Sequence, residues 1–86
     1  MEKYLVTTRQ ARAGERMMTL QYYVLKERME STVDQFGIMI RSWEESDMAV
    51  ATGISGDGLE VLELIKKLAD GSVTPVSLEY VLADLQ

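Results

Sequence analysis

The chain has 86 residues, of which 47% are hydrophobic and 27% charged, and its formal net charge is −5. These values are typical of one globular domain and disfavour a disordered or fibrous chain. The absence of cysteine and histidine excludes disulfides, thiolate metal sites and catalytic sets that use an imidazole base. No stretch approaches the ~20 consecutive apolar residues that span a bilayer, and the N-terminus lacks the layout of a secretory signal. We therefore expect a cytoplasmic protein without a membrane partner.

The first part of the chain carries the pattern of a β-hairpin. Residues 4–10 are rich in β-branched and aromatic side chains, and Gly14 lies in the turn that follows. In residues 18–25 a period of two indicates a pleated strand with one face on the core. The side chains predicted to face that core are Met18, Leu20, Tyr22 and Val24.

Two further strands are predicted after a polar break at residues 30–34. The third runs from Phe36 to about Trp43 and alternates in the same way. In the fourth, alanine and glycine separate the larger side chains and leave the second face of the strand nearly bare; the larger set is Met48, Val50, Thr52 and Ile54. Because every connection is too short for a parallel crossover, we expect an antiparallel meander of strand order 1-2-3-4.

A helical hairpin is predicted after the strands. Asp57 can cap the first helix, Glu60 completes a capping box, and Gly71 supplies a left-handed stop. Thr74 and Pro75 begin a second helix. The apolar stripes predicted to dock are Val61, Leu62, Ile65, Leu68 and Ala69 in the first helix, and Leu78, Val81, Leu82 and Leu85 in the second.

These patterns predict a single α+β domain over residues 1–86. It consists of a four-stranded antiparallel meander, residues 1–55, followed by two short helices, residues 57–86, packed on one sheet face. Neither helix is long enough to be stable alone in water, so both must dock on the apolar face of the sheet.

The loop at residues 53–58 leaves a strand and opens a helix, a setting in which backbone N–H groups can hold a phosphate. Its spacing matches neither the P-loop nor the dinucleotide fingerprint, and helix capping by Asp57 explains its residue types. Ser55 lacks both the second glycine of a nucleophile elbow and a histidine base. We therefore expect no enzyme, no cofactor and no bound metal.

The charge distribution bears on nucleic-acid recognition. The second helix carries Glu79 and Asp84 but no Lys or Arg, so phosphate would repel it and direct DNA binding is disfavoured. Residues 1–41 have a balance of +2 and residues 42–86 a balance of −7. The acidic half suggests an alternative function, an inhibitor of the phage or mobile-element anti-defence type that offers carboxylates to a nucleic-acid-binding enzyme.

Three arginines flank the first hairpin turn. Arg9, Arg12 and Arg16 could grip a small anionic ligand such as a nucleotide, with Tyr22 or Tyr23 available for stacking. Alternating arginine is also what an exposed strand uses for solubility. A sink for a small anionic ligand is therefore a second alternative function.

The sheet face that turns away from the helices is predicted to be apolar, because Met17 and four other large side chains fall on it. The predicted partner interface on this face is Tyr23, Leu25, Met39, Arg41 and Trp43. Monomers seldom leave such a contiguous apolar surface in water. We expect a small non-enzymatic interaction or regulatory protein that binds another protein or itself as a homodimer. Cover by a terminal segment, or a different strand register, is the competing explanation.

The stretch 54–84, with its helix start Val73-Thr74-Pro75-Val76-Ser77-Leu78, resembles a family of short uncharacterised bacterial domain-of-unknown-function proteins. The resemblance covers mainly the C-terminal two thirds of the chain, with the last two strands and both helices. Because that family has no assigned activity, the resemblance implies a bacterial or mobile-element origin and no particular chemistry.

Overall fold

The computed structural model describes residues 1–28 and 34–85. Its strands form one sheet of order β1-β2-β3-β4 in which all neighbours are antiparallel. The predicted α+β fold, with two helices after a four-stranded meander, is confirmed. The elements are β1 (Glu2–Ala13), β2 (Arg16–Arg28), β3 (Asp34–Ser42), β4 (Asp47–Ile54), α1 (Gly58–Asp70), a 3₁₀ helix (Pro75–Ser77) and α2 (Leu78–Leu85). Most of the predicted polar break, at residues 30–33, lies outside the described residues.

The first hairpin is longer than predicted because its turn is only two residues long. Ala13 pairs with Arg16, and Gly14 has a φ of 68°, which a glycine adopts without strain. The ladder contains one β-bulge, where Leu5 pairs with Tyr23 but Thr7 pairs with Tyr22. The additional residue is Val6, whose side chain packs against the core.

The core lies between the helices and one face of the sheet. Predicted core residues of β2 and β3 are in it, including Leu20 and Tyr22, and α1 crosses β1, β2 and β3 while the 3₁₀ helix and α2 lie beside β4. Each fully buried Leu or Ile contributes about 1.5–3 kcal/mol through removal of apolar surface from water. The buried core residues are Leu20, Tyr22, Ile38, Ile40, Ile54, Val61, Ile65, Leu68, Ala69, Leu78 and Leu82.

In β4 the small residues face the core over most of the strand. Ala49 and Ala51 pair with the core residues Ile40 and Ile38 and pack against the core, whereas Met48 and Val50 are 57% and 49% exposed on the other face. Because the side chains of Ala49 and Ala51 are small, space remains between them and the helical layer. A bulge at residues 52–53 then returns Ile54 to the core face.

Two glycines accommodate this bulge. Gly53 has a φ of +67°, a conformation that L side chains rarely adopt. On the partner strand, a Cβ on Gly37 would lie 2.7 Å from the backbone oxygen of Ala51. A side chain at position 37 would therefore collide with the backbone of β4.

The helix ends match the predicted caps in part. Asp57 accepts a hydrogen bond from Glu60 N at 2.9 Å, which confirms the predicted N-cap. The predicted left-handed stop at Gly71 is wrong: Gly71 has a φ of −88°, and Ser72 takes the left-handed conformation with a φ of 51°. Val73 N donates to Leu68 O and closes the C-terminal end of the helix. The left-handed residue of this C-cap is therefore Ser72 rather than a glycine.

The second helix starts with a 3₁₀ turn rather than as a regular α-helix. Thr74 occupies the N-cap position and Pro75 the first helical position as predicted, but the Thr74 hydroxyl bonds Ser77 Oγ and makes no cap bond to the backbone. Two stripe residues differ from prediction. Leu85 is 52% exposed. Leu62 and Leu64 are both half-buried, but Leu64 is the one that packs against the core.

One buried hydroxyl ties the sheet to the helical layer. Tyr22 is 0% exposed, and its Oη donates to the backbone oxygen of Val73 at 2.9 Å, in the connection between the helices. Burial raises the pKa of Tyr22 to about 12, an effect that Arg9 partly opposes. The side chain is therefore both a core residue and a hydrogen-bonded link.

Candidate interaction surface on the open face of the sheet

The term open face denotes the sheet face opposite the helices. Because Tyr22 and Ile40 point into the core, their strand neighbours Tyr23 and Met39 point the other way and pair with each other. Arg41 pairs with Gln21, and Trp43 N donates to Thr19 O at 3.0 Å, which continues the ladder. The prediction that Tyr23, Leu25, Met39, Arg41 and Trp43 share one face is confirmed; that they bind a partner stays a prediction.

Exposure is not uniform across the open face. Leu25 and Met39 are only 5% and 6% exposed, although they lie on this face. Tyr23 and Arg41 are half-buried, and Trp43 is 58% exposed. Leu25 and Met39 therefore form a support beneath the surface rather than a surface that a partner can reach.

The accessible apolar area comes largely from residues that the sequence did not indicate. Leu5, Met48 and Val50 lie on the open face in addition to the predicted Met17 and Trp43, and all five are between 49% and 58% exposed. Met48 and Val50 were missed because the alternation in β4 does not indicate which set of side chains faces inward. Gly53 and Gly37, which accommodate the bulge, are the residues in the sequence that signal the change of face in β4.

Two cations lie over aromatic rings on the open face. The guanidinium carbon of Arg41 lies 4.7 Å from the Trp43 ring centroid, and Lys3 Nζ lies 5.3 Å from that of Tyr23. Such pairs contribute about 0.5–1 kcal/mol at exposed sites. They hold the two rings in defined positions, so less side-chain entropy remains to be lost when a partner binds.

The turn after Trp43 is fixed by a carboxylate. Glu44 accepts hydrogen bonds from Thr19 N at 2.6 Å and from Thr19 Oγ1 at 2.7 Å. The backbone and side-chain hydrogen bonds from Thr19 hold the pKa of Glu44 below its ordinary value. Trp43 directly precedes Glu44, so the hydrogen bonds between Glu44 and Thr19 also fix the backbone of Trp43 against β2.

The three arginines of the predicted anion site do not converge. Arg9 lies on the helix side, where it bonds Thr7 Oγ1 at 2.7 Å and approaches Asp70 at 3.7 Å. Arg12 is three residues further along the strand and therefore points to the open face, while Arg16 returns to the helix side on β2. Tyr22 is buried and unavailable for stacking. Anion binding by these arginines stays a prediction.

A sequence model of a protein family matches the chain over residues 1–86, and its description is family of unknown function (DUF6514). The chain belongs to the DUF6514 family. The match confirms the resemblance to short domains of unknown function and extends it from the C-terminal two thirds to the whole chain. No curated protein and no solved structure gives a significant match. Because the DUF6514 family has no described function, membership assigns no activity to this chain.

Two further surface properties are relevant to partners. Across residues 1–28 and 34–85, no helix has the length and apolar character needed to cross a membrane. Eight of the nine acidic residues in the segment 42–86 are exposed, the exception being the half-buried Asp47. The acidic inhibitor suggested by this charge stays a prediction.

Proposed function

We propose that this protein is a small non-catalytic interaction module that binds protein through the open face of its sheet, with a second copy of the chain as its partner. The observation that carries the proposal is the group of five large apolar side chains that share this face at about half exposure, Leu5, Met17, Trp43, Met48 and Val50. Within the described residues, the helices cover the opposite face and leave this group in water.

The size of the open face suits a reversible dimer. Four strands about 4.8 Å apart and about nine residues long, at about 3.3 Å per residue, give roughly 600 Å² on one face. A standard interface buries about 800 Å² per partner, so the open face is at the lower end of what a specific complex requires. Association is therefore expected to depend on concentration in the micromolar range.

The composition of the open face also suits binding to another protein. A large aromatic ring and methionines supply adaptable apolar contact, and Arg41 over Trp43 supplies a cation that remains partly desolvated. Trp and Arg are the residue types that most often dominate binding free energy. Trp43 and Arg41 are therefore the expected hot spot.

Sedimentation velocity over a range of protein concentrations tests this proposal. Trp43→Ala is expected to weaken the dimer about 10–30-fold, because truncating a large aromatic interface residue costs about 1.4–2 kcal/mol of association free energy. Tyr80→Ala is the matched control, since Tyr80 is also an exposed aromatic residue, 73% exposed, but lies on α2 away from the open face. A wild-type chain that stays monomeric throughout, or equal effects of both substitutions, would contradict the proposal.

A further inference from the structure

The two edges of the sheet differ in how they are protected against pairing with another strand. β1 carries Lys3, Arg9 and Arg12 and the bulge at Val6, features that natural edge strands use to prevent strand addition. β4 has no charged residue after Asp47, no proline, and a regular ladder from Asp47 to Ala51. Within the described sheet β4 is therefore the edge that can accept a further strand.

The direction of the backbone groups in β4 follows from the ladder. Trp43 N bonds Thr19 O across to β2, so even-numbered residues of β3 direct their backbone groups to β4. Ile40 pairs with Ala49 and Ile38 with Ala51, which leaves the backbone groups of Met48 and Val50 pointing outward. Met48 N is already bonded to Asp47 Oδ1, so the N–H and C=O of Val50 are the pair that an added strand would use.

A groove lies directly beside this edge. It has a volume of about 600 Å³ and runs between β4 and the helical layer, within the range of natural binding pockets. Its walls are Ala49 and Ala51 on one side and Pro75, Leu78 and Leu82 on the other, with the carboxylate of Glu79 among them. The groove is open because the residues of β4 that point toward the helices here are alanines, whose side chains are small.

An added antiparallel strand would place side chains in the groove. If one of its residues pairs with Val50, the residues on either side lie opposite Ala49 and Ala51 and point toward the helices. Those two side chains are about 7 Å apart along the strand and enter the groove together. The backbone edge and the groove thus form one site for an extended segment with apolar residues at positions i and i+2.

The occupant is not a second copy of this chain. The side chains that a second β4 would direct into the groove are its own alanines, which are too small to fill about 600 Å³. Pairing two β4 edges would also bring two copies of Glu79 together, within a segment whose charge is −7. Among the described residues that line the groove there is one carboxylate and no cation, so the complementary segment is basic.

We propose that the β4 edge and its groove bind an extended peptide segment of another protein by strand addition, and that this segment combines apolar residues two apart with a Lys or Arg that reaches Glu79. Main-chain bonds to Val50 supply affinity, and the groove and Glu79 supply selectivity. The site shares Val50 with the open face, but it uses the backbone of this residue, whereas the open face uses its side chain. Peptide binding therefore does not depend on the proposed dimer.

A random peptide display library selected on the full-length protein tests this site. The best selected peptides are then measured by titration against Val50→Pro, which removes the outward N–H at an edge where proline is tolerated, and against Val50→Thr, which keeps it. Glu79→Lys and Glu63→Lys form the second matched pair, because Glu63 is exposed on α1 and does not line the groove. N-methylation of each peptide position in turn reports the bonding pattern without altering the protein.

Selected peptides are expected to be basic, with apolar residues at i and i+2. Val50→Pro is expected to weaken peptide binding about tenfold or more, and Glu79→Lys about fivefold. The controls Val50→Thr and Glu63→Lys are expected to change the peptide affinity by no more than about twofold. N-methylation of the peptide backbone is expected to abolish binding at every second position, because only alternate residues of a strand direct their N–H to β4. Selection of no peptide, of acidic peptides, or of peptides whose N-methyl sensitivity lacks a period of two would overturn the proposal, as would loss of binding through Trp43→Ala alone. If Val50→Pro does not fold, the N-methyl pattern decides.

Discussion

Replacing Tyr22 with phenylalanine tests how the sheet is attached to the helical layer. The substitution keeps the ring in the core and removes only the hydroxyl that donates to Val73 O at 2.9 Å. At neutral pH the loss of this hydrogen bond, with the carbonyl left unpaired, is expected to lower the free energy of unfolding by about 1–2 kcal/mol.

The same substitution has the opposite effect on the alkaline side. In the unfolded chain Tyr22 loses its proton at its ordinary pKa of 10.0, whereas burial holds the proton in the folded state up to about 12. Between these values the unfolded state binds fewer protons, so the stability of the wild-type chain falls as pH rises, by up to about 2–3 kcal/mol from this residue. Tyr22→Phe has no such contribution, and its stability is expected to approach and then exceed that of the wild type above pH 11.

Urea unfolding of both chains at intervals from pH 8 to pH 12 measures this difference. All other titrating groups are shared, so subtracting the two curves isolates Tyr22, and Tyr23→Phe serves as a control because its hydroxyl bonds Gln21 on the open face. A difference in unfolding free energy that stays constant across this pH range would show that Tyr22 is not held in the buried, protonated state.

Three further substitutions test the backbone and core. Ser72→Gly is expected to raise the free energy of unfolding by about 0.5–1 kcal/mol, because Ser72 has a φ of 51° at the end of α1; urea unfolding measures it, with Ser55→Gly, in the exposed loop before α1, as control. Ser42→Ala is expected to leave stability unchanged or raise it by about 1 kcal/mol, since Ser42 Oγ is buried and has no hydrogen-bond partner among residues 1–28 and 34–85; a loss above ~1 kcal/mol would contradict this. Gly37→Ala is expected to lower stability by about 1–3 kcal/mol, because its Cβ would lie 2.7 Å from the Ala51 oxygen, and an unchanged melting temperature would refute the close approach.

The sequence was sufficient to predict the order of elements and most of the core. The period of two in β2 and β3 and the period of 3.6 in α1 each leave one face that must be buried, which places Leu20, Tyr22, Ile38 and Ile65 correctly. Capping chemistry is local, so Asp57 was also placed correctly.

The errors have identifiable physical causes. Alternation in β4 separates two faces but does not say which is inward, and the large partners Ile38 and Ile40 place the alanines there. The left-handed residue after α1 is set by where the last helical hydrogen bonds close, which makes it Ser72 rather than Gly71. Leu85 continues the apolar stripe of α2 but is 52% exposed at the end of the helix.

The candidate surface was predictable in orientation but not in exposure. Which side chains share the open face follows from strand register alone, whereas the burial of Leu25 and Met39 depends on tertiary packing, which strand register does not reveal. The separation of Arg9 from Arg12 could have been foreseen, because residues an odd number apart in a regular strand point to opposite faces. The groove beside β4 could not, since it requires the alanine face to be the inward one.

The intrinsic fluorescence of Trp43 tests the central claim most directly, because it is the single tryptophan in the chain and lies on the open face with 58% of its surface exposed. If the open face is the interface between two copies, emission at high protein concentration is shifted to shorter wavelength and protected from acrylamide. Dilution then shifts the emission to longer wavelength and restores quenching, in parallel with the loss of dimer by sedimentation. Emission and quenching that stay those of a water-exposed indole at every concentration would contradict the account.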